Sequence, residues 1–92
     1  MKLVWLQRAN IELEAISNDI ARDNPAAADA VELRILTSVE HVGEFPEAGR
    51  TGRVKGTREV AVVAYPYVVV YRIKGDEVQV LTVRHTSRQW PE

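Results

Sequence analysis

The chain has 92 residues, no cysteine and a net charge of −1 at pH 7, and 46% of its residues are hydrophobic and 27% charged. These totals predict a single globular domain, residues 1–92, and exclude disulfide frameworks and thiol chemistry. No apolar run reaches the length of a membrane span, and the lack of cysteine agrees with a reducing compartment. We therefore expect a cytoplasmic protein that does not associate with membranes.

The small net charge conceals an asymmetry along the chain. Residues 1–48 hold nine acidic and four basic side chains, whereas residues 49–92 hold four acidic and eight basic ones. A basic half can meet nucleic acid or an acidic protein segment. A dipolar surface without a partner explains the same asymmetry, so composition alone leaves both interpretations open.

The first half of the chain predicts one strand followed by two helices. Residues 2–7 form a short apolar run, which indicates a strand, and residues 8–23 show the apolar spacing of an amphipathic helix. Asn24 can cap a second helix, Pro25 suits its first turn, and Gly43 fits its end. Because the joint is so short, we predict an antiparallel helical hairpin. The residues expected to pack it on a sheet are Leu13, Ile16, Ile20, Val31, Ile35 and Val39.

Residues 44–58 predict a loop and then a basic turn. Phe45 is expected to anchor the loop on the hydrophobic core. Residues 52–57 superficially resemble a phosphate-binding loop, but Lys55 precedes Gly56, so the order GxxxxGK[ST] is not met. We therefore interpret this stretch as a basic turn.

The last part of the chain, residues 57–85, is the richest in β-branched residues, which suit a pleated and half-buried surface. Pro66 and Gly75 break it into three pieces. The predicted antiparallel strands are 57–65, 67–74 and 77–85. Valines on both faces of the middle strand indicate that it is central. The predicted fold class is α+β with the order βααβββ: an antiparallel three-stranded meander plus an N-terminal strand, with a helical hairpin packed on one face.

The sequence offers no metal or cofactor site. His41 and His85 are far apart and lack cysteine or carboxylate partners at metal-ligand spacing. Glu12 and Glu14 face different sides of a helix, which indicates surface charge rather than a pair of catalytic carboxylates. We therefore expect neither a metal nor a cofactor.

Basic side chains around the first and last meander strands are the remaining candidates for function. They are Lys55 and Arg58 near the first strand, and Arg84, His85 and Arg88 near the last. Each has a structural alternative, such as an ion pair, a hydrogen bond at a strand end or a place on the solvated surface. Trp90 can either pack the tail onto the body of the protein or anchor a partner.

Four segments of the chain form a recognisable pattern when they are taken together. They are residues 45–50 (FPEAGR), 56–60 (GTREV), 65–72 (YPYVVVYR) and 83–91 (VRHTSRQWP). With the βααβββ order and the Asn-Pro joint between the helices, this pattern resembles the ParE/RelE superfamily of toxins from bacterial type II toxin–antitoxin modules. The resemblance covers nearly the whole chain, and the superfamily has two activities on one scaffold.

The RelE-like branch cuts mRNA on the ribosome. In that branch the resemblance implies catalytic roles for Lys55, Arg58, His85 and Arg88. An arginine lies there two residues after the turn proline, where this chain has Val68, and an apolar valine cannot neutralise phosphate. The tyrosine–proline–tyrosine turn and the Arg-His-x-x-Arg-Gln-Trp-Pro ending are more similar to the ParE branch. We therefore predict a ParE-like toxin that is not itself an enzyme.

The ParE-like interpretation implies inhibition of DNA gyrase and so of DNA replication. The target-binding residues implied by this resemblance are Arg84, His85, Arg88 and Trp90. Both branches imply a cognate antitoxin, which we expect to be acidic, co-encoded and in contact with Arg58 and Arg72. The alternatives are a RelE-like mRNA endonuclease, with the ribosome and mRNA as partners, and a degenerate toxin that retains only antitoxin binding.

Overall fold

Two helices and one five-stranded sheet are formed within residues 1–91, the part of the chain that the computed structural model describes. In chain order the elements are β1 (Lys2–Trp5), α1 (Gln7–Ala21), α2 (Pro25–Glu44), β2 (Arg50–Thr51), β3 (Arg58–Ala61), β4 (Tyr67–Lys74) and β5 (Glu77–His85). The order across the sheet is β1-β5-β4-β3-β2, with β1 parallel to β5 and the other neighbours antiparallel. The predicted α+β class is confirmed. Glu92, the last residue of the predicted tail, lies outside the described residues.

Helix α2 begins where the sequence predicts and ends one residue after Gly43. The side chain of Asn24 accepts a hydrogen bond from the backbone N–H of Ala27 at 3.1 Å and so caps α2, with Pro25 in the first turn. At the other end, Gly43 lies in the last turn, as the sequence predicts, and α2 ends one residue later at Glu44.

The hairpin packs on one face of the sheet through apolar residues of both helices. The buried cluster contains Val31, Ile35 and Val39 of α2 together with Val69, Val80 and Val83 of the sheet. The side chains of α1 that pack against this cluster, Leu13, Ile16 and Ile20, are only partly buried. The predicted packing is therefore confirmed, and the deepest contacts come from α2.

Strand β4 is the centre of the sheet. It lies between β3 and β5, and three consecutive residues, Val69, Val70 and Tyr71, are fully buried. The prediction that this strand is central is confirmed. Its pairing with β5 contains one irregularity, because Val70 pairs with Thr82 and Tyr71 with Val80, which leaves Leu81 as an extra residue in β5.

Two strand assignments differ from the prediction. Strand β3 ends at Ala61 rather than at residue 65, and Ala64 has a φ of +75°, which is incompatible with extended backbone. Strand β2 lies within the segment predicted as a loop, where Arg50 pairs with Glu59 and Thr51 with Arg58. Two residues are too few to show the alternating pattern from which a strand is predicted.

Tyr71, rather than Phe45, holds the loop after α2. Phe45 is 57% exposed, so its predicted role as an anchor was wrong. The buried Tyr71 hydroxyl donates to the backbone oxygen of Pro46 at 2.7 Å and accepts from the backbone N–H of Gly49 at 2.9 Å. A Cβ at Gly49 would lie 2.5 Å from that hydroxyl oxygen, so the close approach requires glycine.

We expect Ile35→Ala to lower the free energy of unfolding by about 2–5 kcal/mol, because it opens a cavity at a fully buried position. The matched control is Leu33→Ala on the same helix, where the side chain is 64% exposed and the cost should stay within about 0.5 kcal/mol. Urea denaturation of both variants measures the difference. Equal costs for the two substitutions would contradict the packing described above.

We expect Tyr71→Phe to lower the free energy of unfolding by about 1–3 kcal/mol, because the N–H of Gly49 and the oxygen of Pro46 lose a buried partner. Hydrogen exchange should show faster exchange of the Gly49 amide. Tyr67→Phe, at a partly exposed tyrosine of the same strand, is the control. An unchanged Gly49 amide in Tyr71→Phe would show that the loop is held by other contacts.

Candidate functional site

A groove of about 860 Å³ lies between α1 and the end of β5. Its lining combines apolar side chains with charges of both signs. The apolar and aromatic members include Ile16, Ile20, Tyr67 and Val83, the acidic members are Glu12 and Asp19 on α1, and the basic or polar members include Arg84, His85, Ser87 and Arg88. Most of the residues predicted to bind a target therefore lie at this end of the sheet.

The carboxylate of Glu12 caps the edge of β5 where β1 no longer covers it. Strand β1 ends at Trp5, which pairs with Val80, so the later residues of β5 lie beyond the reach of β1. Glu12 Oε1 accepts hydrogen bonds from the Thr82 hydroxyl at 2.6 Å and from the Val83 backbone N–H at 3.3 Å. An edge amide that would otherwise need water thus receives a charged acceptor from α1.

Arg84 is a buried cation that is held from several sides. Its side chain is 7% exposed, and its Nε donates to the Thr82 hydroxyl at 3.2 Å. Its Nη1 donates to the backbone oxygen of Gln89 at 2.7 Å, and its Nη2 lies 3.8 Å from Glu12 Oε2. A buried charge is tolerated when a partner of opposite charge and hydrogen bonds compensate for lost hydration. The expectation that Arg84 contacts a target directly therefore disagrees with its position.

Trp90 packs the tail onto the body of the protein. The guanidinium carbons of Arg8 and Arg84 each lie 5.2 Å from the centroid of its ring, within cation–π range. Its indole Nε1 is buried and has no hydrogen-bond acceptor among the described residues. Of the two roles that the sequence left open for Trp90, the structure shows the packing role.

His85 and Arg88 are the accessible members of the predicted target-binding set. The backbone N–H of Ser87 donates to His85 Nδ1 at 3.1 Å, so Nδ1 is an acceptor and the ring proton belongs on Nε2. The Ser87 hydroxyl lies 2.8 Å from the same nitrogen, and the Tyr67 ring meets the imidazole edge-on. Arg88 donates its backbone N–H to the His85 oxygen at 3.0 Å, while the residue as a whole is exposed.

The residues implied by the nuclease alternative fall into two separate groups. Arg58 pairs with Tyr71, whereas His85 pairs with Tyr67 at the start of the same central strand. The two positions are roughly 13 Å apart along the strand direction and lie on different sides of β4. Arg58 donates to the backbone oxygens of Gly49 and Glu47, and Lys55 lies in the exposed turn before β3. The sheet thus keeps Lys55 and Arg58 away from His85 and Arg88.

The two arginines expected to contact an antitoxin lie on opposite faces of the sheet. Arg58 is directly opposite Tyr71 in the β3–β4 pairing, and Arg72 is the next residue along β4. Each is partly buried and bonded within the protein, with Arg72 Nε donating to Gln79 Oε1 at 2.7 Å. They do not form one surface.

Glu12 is the functional-site residue that sequence reasoning missed. Its spacing from Glu14 indicated ordinary surface charge. Arg8, four residues earlier on the same helix face, is a common type of ion-pair partner, and in the structure its Nε lies 3.5 Å from Glu12 Oε2. The partners that define its role, Thr82 and Val83, are 70 and 71 residues away in sequence. The spacing of neighbouring residues in the sequence therefore cannot predict that Glu12 contacts Thr82 and Val83.

Within residues 1–91 no group of three or more His, Asp or Glu side chains is arranged to hold a metal ion. No helix of this part of the chain is long and apolar enough to cross a bilayer.

Comparison with known proteins identifies the fold family. A family model described as the ParE toxin of the type II toxin–antitoxin system parDE matches residues 3–90. The protein Y4kP of Sinorhizobium fredii, whose name marks it as a candidate toxin, is 43% identical over 91 residues, covering 99% of this chain and 94% of that protein. Toxin RelE2 of Caulobacter vibrioides is 36% identical over 87 residues, covering 95% and 97%. The chromosomal ParDE TA system from P. aeruginosa superposes with a TM-score of 0.84 at 27% identity, covering 92% of this chain and 95% of that one.

The family model spans nearly the whole chain, and both relatives cover almost all of it. The sequence similarity to these two toxins thus extends over the helices, the strands and most of the C-terminal segment of this chain. Membership of such a family implies a cognate antitoxin as a partner. The chain belongs to the ParE toxin family of type II toxin–antitoxin systems.

Proposed function

We propose that this toxin inhibits DNA gyrase, and so DNA replication, and that its cognate antitoxin neutralises it in the cytoplasm. The observation that carries the proposal is the separation of the basic residues by the sheet. His85 lies opposite the first residue of β4, with Arg88 just after it, while Arg58 lies opposite Tyr71 in the middle of β4 and on the other side of that strand. Lys55 lies in the exposed turn before β3. A binding surface can use the first group alone, whereas phosphodiester cleavage needs cations that converge on one phosphate.

Strand β4 also favours the gyrase proposal over the nuclease alternative. Val68 stands where the RelE-like pattern has an arginine, and its cross-strand partner is Arg84. The guanidinium of Arg84 is buried and bonded to Thr82 and Gln89, so it is not free to replace the missing cation at a phosphate. A preorganised charge at the transition state is usually the largest single catalytic contribution.

For target binding we propose direct contacts from Arg88 and His85, with Arg84 and Trp90 holding them from within. Arg88 is exposed and His85 is partly exposed, and both line the groove beside α1. Arginine side chains at the centre of an interface are among those whose truncation costs the most affinity.

For antitoxin binding we propose contacts with Arg58 and Arg72. Because these residues lie on opposite faces of the sheet, an antitoxin that contacts both must extend over both faces. The acidic character expected of the antitoxin suits the surplus of basic side chains in residues 49–92.

The second candidate is a ribosome-dependent mRNA endonuclease. The observations that favour it are the 36% identity with toxin RelE2 of Caulobacter vibrioides and the imidazole of His85, which carries its proton on the nitrogen not used by Ser87. His85 and Arg88 would supply the chemistry in that case, with Lys55 and Arg58 too far away to take part. A degenerate toxin that only binds antitoxin is the third candidate.

With purified gyrase, plasmid and ATP, we expect the protein to trap double-strand cleavage complexes. Arg88→Ala should weaken trapping by roughly tenfold or more, because it removes an exposed cation of the binding surface. The matched control is Arg53→Ala, which removes an exposed arginine from the turn between β2 and β3 and should leave trapping unchanged. Thermal melts check that both variants are folded.

A parallel incubation with translating ribosomes decides between the candidates. Codon-positioned mRNA cuts with gyrase unaffected would overturn the gyrase proposal in favour of the nuclease. Binding to the antitoxin without either activity would support the degenerate toxin. Equal loss of trapping in Arg88→Ala and Arg53→Ala would contradict the assignment of the surface.

A saturating amount of the cognate antitoxin should raise the melting temperature of the toxin. A ligand at one hundred times its dissociation constant stabilises a folded protein by about 2.7 kcal/mol, which corresponds to roughly 10 °C or more for a domain of this size. Differential scanning calorimetry over a series of antitoxin concentrations tests this expectation. A melting temperature that does not respond to antitoxin would contradict a direct complex.

A further inference from the structure

We propose that Glu12 is a positioning residue, which acts through Arg84, Arg8 and Trp90 to hold the C-terminal segment, residues 86–91, closed against α1. The part of the proposal that concerns target binding rests on the proposed gyrase function. The part that concerns the closed segment stands on the geometry alone.

One carboxylate lies beside both cations that contact Trp90. Glu12 Oε2 is 3.5 Å from Arg8 Nε and 3.8 Å from Arg84 Nη2, while Oε1 is bonded to Thr82 and Val83. The bonds to β5 fix the carboxylate, and the fixed carboxylate orients the two guanidiniums. Both guanidinium carbons lie 5.2 Å from the centroid of the Trp90 ring. Glu12 thus acts on the C-terminal segment through the two arginines.

Ser87 and Arg88 bond locally to His85. Three further contacts fasten the closed segment to the body of the protein. The Thr86 N–H bonds to the Pro66 oxygen at 2.9 Å, Arg84 Nη1 bonds to the Gln89 oxygen at 2.7 Å, and Trp90 meets the two guanidiniums. The contact at Gln89 and the contacts at Trp90 both depend on arginines that lie beside Glu12. Neutralising Glu12 takes one carboxylate from a cation that is 7% exposed, which weakens these contacts together.

Closure determines how Arg88 is displayed. Arg88 lies between His85, which ends β5, and Gln89, whose oxygen Arg84 holds. When the segment is closed, the backbone on both sides of Arg88 is fixed. When it is open, a target has to order the segment on binding, and that ordering reduces affinity.

Trp90 emission measures closure directly. In a Trp5→Phe background Trp90 is the single tryptophan, and we compare Glu12→Gln with Glu14→Gln, which makes the same charge change at an exposed position of α1. Glu12→Gln should shift Trp90 emission to longer wavelength and raise acrylamide quenching by about twofold or more, because the segment opens locally. Glu14→Gln should change neither quantity. Equal Trp90 quenching in the two variants overturns the proposal.

A second variant guards against a general loss of structure. Arg8→Gln alters a side chain that is 47% exposed and leaves the bonds from Glu12 to β5 in place. It should raise Trp90 quenching by less than Glu12→Gln does, with far-UV circular dichroism and the thermal melt unchanged. Quenching that rises only in proportion to unfolding would assign Glu12 a merely structural role and overturn the proposal.

Gyrase trapping then tests the consequence for the target, with Trp5 intact. Glu12→Gln should reduce trapping by about tenfold relative to Glu14→Gln, because a disordered segment must be ordered on binding. Increased quenching with undiminished trapping overturns the link between closure and the display of Arg88. Increased quenching with no trapping by any variant, the unaltered protein included, supports the closed segment and refutes the proposed gyrase function.

Discussion

The difference in length between two neighbouring strands sets the geometry of the candidate site. Strand β1 covers β5 only as far as Val80, and the chain turns at once into α1, with the Leu6 N–H bonded to the Val80 oxygen. Helix α1 therefore starts beside the uncovered edge of β5, and the side chain of Glu12 reaches the Val83 amide there. A longer β1 would satisfy that amide itself. The buried Arg84, the Trp90 contacts and the fixed tail all follow from this arrangement.

Local patterns in the sequence predict most of the fold. The Asn24-Pro25 joint, the apolar spacing of both helices and the positive φ of Gly75 (+61°) are properties of a few neighbouring residues, and the structure confirms them. The failed prediction for Phe45 involves contacts that are distant in sequence. Phe45 and Tyr71 are both aromatic, and only the folded loop determines that the hydroxyl of Tyr71 meets Pro46 and Gly49 while Phe45 stays exposed.

The sequence predicts where the candidate site lies, but it does not predict the hydrogen bonds and ion pairs within the site. The basic ending identifies His85 and Arg88, because charged residues after the last strand must gather at one end of the sheet. The sequence does not distinguish the buried Arg84 from the exposed Arg88, since both are arginines in the same short stretch. Strand alternation alone would place Arg84 on one face, and its burial depends on a carboxylate 72 positions earlier and on the tail that folds back over it.

The choice between binding and catalysis depends on whether the arginine side chains are bonded within the protein or exposed to a partner. A cation that is hydrogen-bonded inside the protein stabilises the fold, but it is held away from the position where charge develops on a substrate. Arg58 is tied to the loop after α2, and Arg84 is tied to Glu12, Thr82 and the tail. The central strand carries Val68 beside Arg84 instead of another cation. Structural use of Arg84 thus leaves Arg88, with His85 beside it, as the exposed arginine among the described residues that line the groove. One exposed arginine there suits recognition better than phosphodiester cleavage, which needs cations that converge on one phosphate.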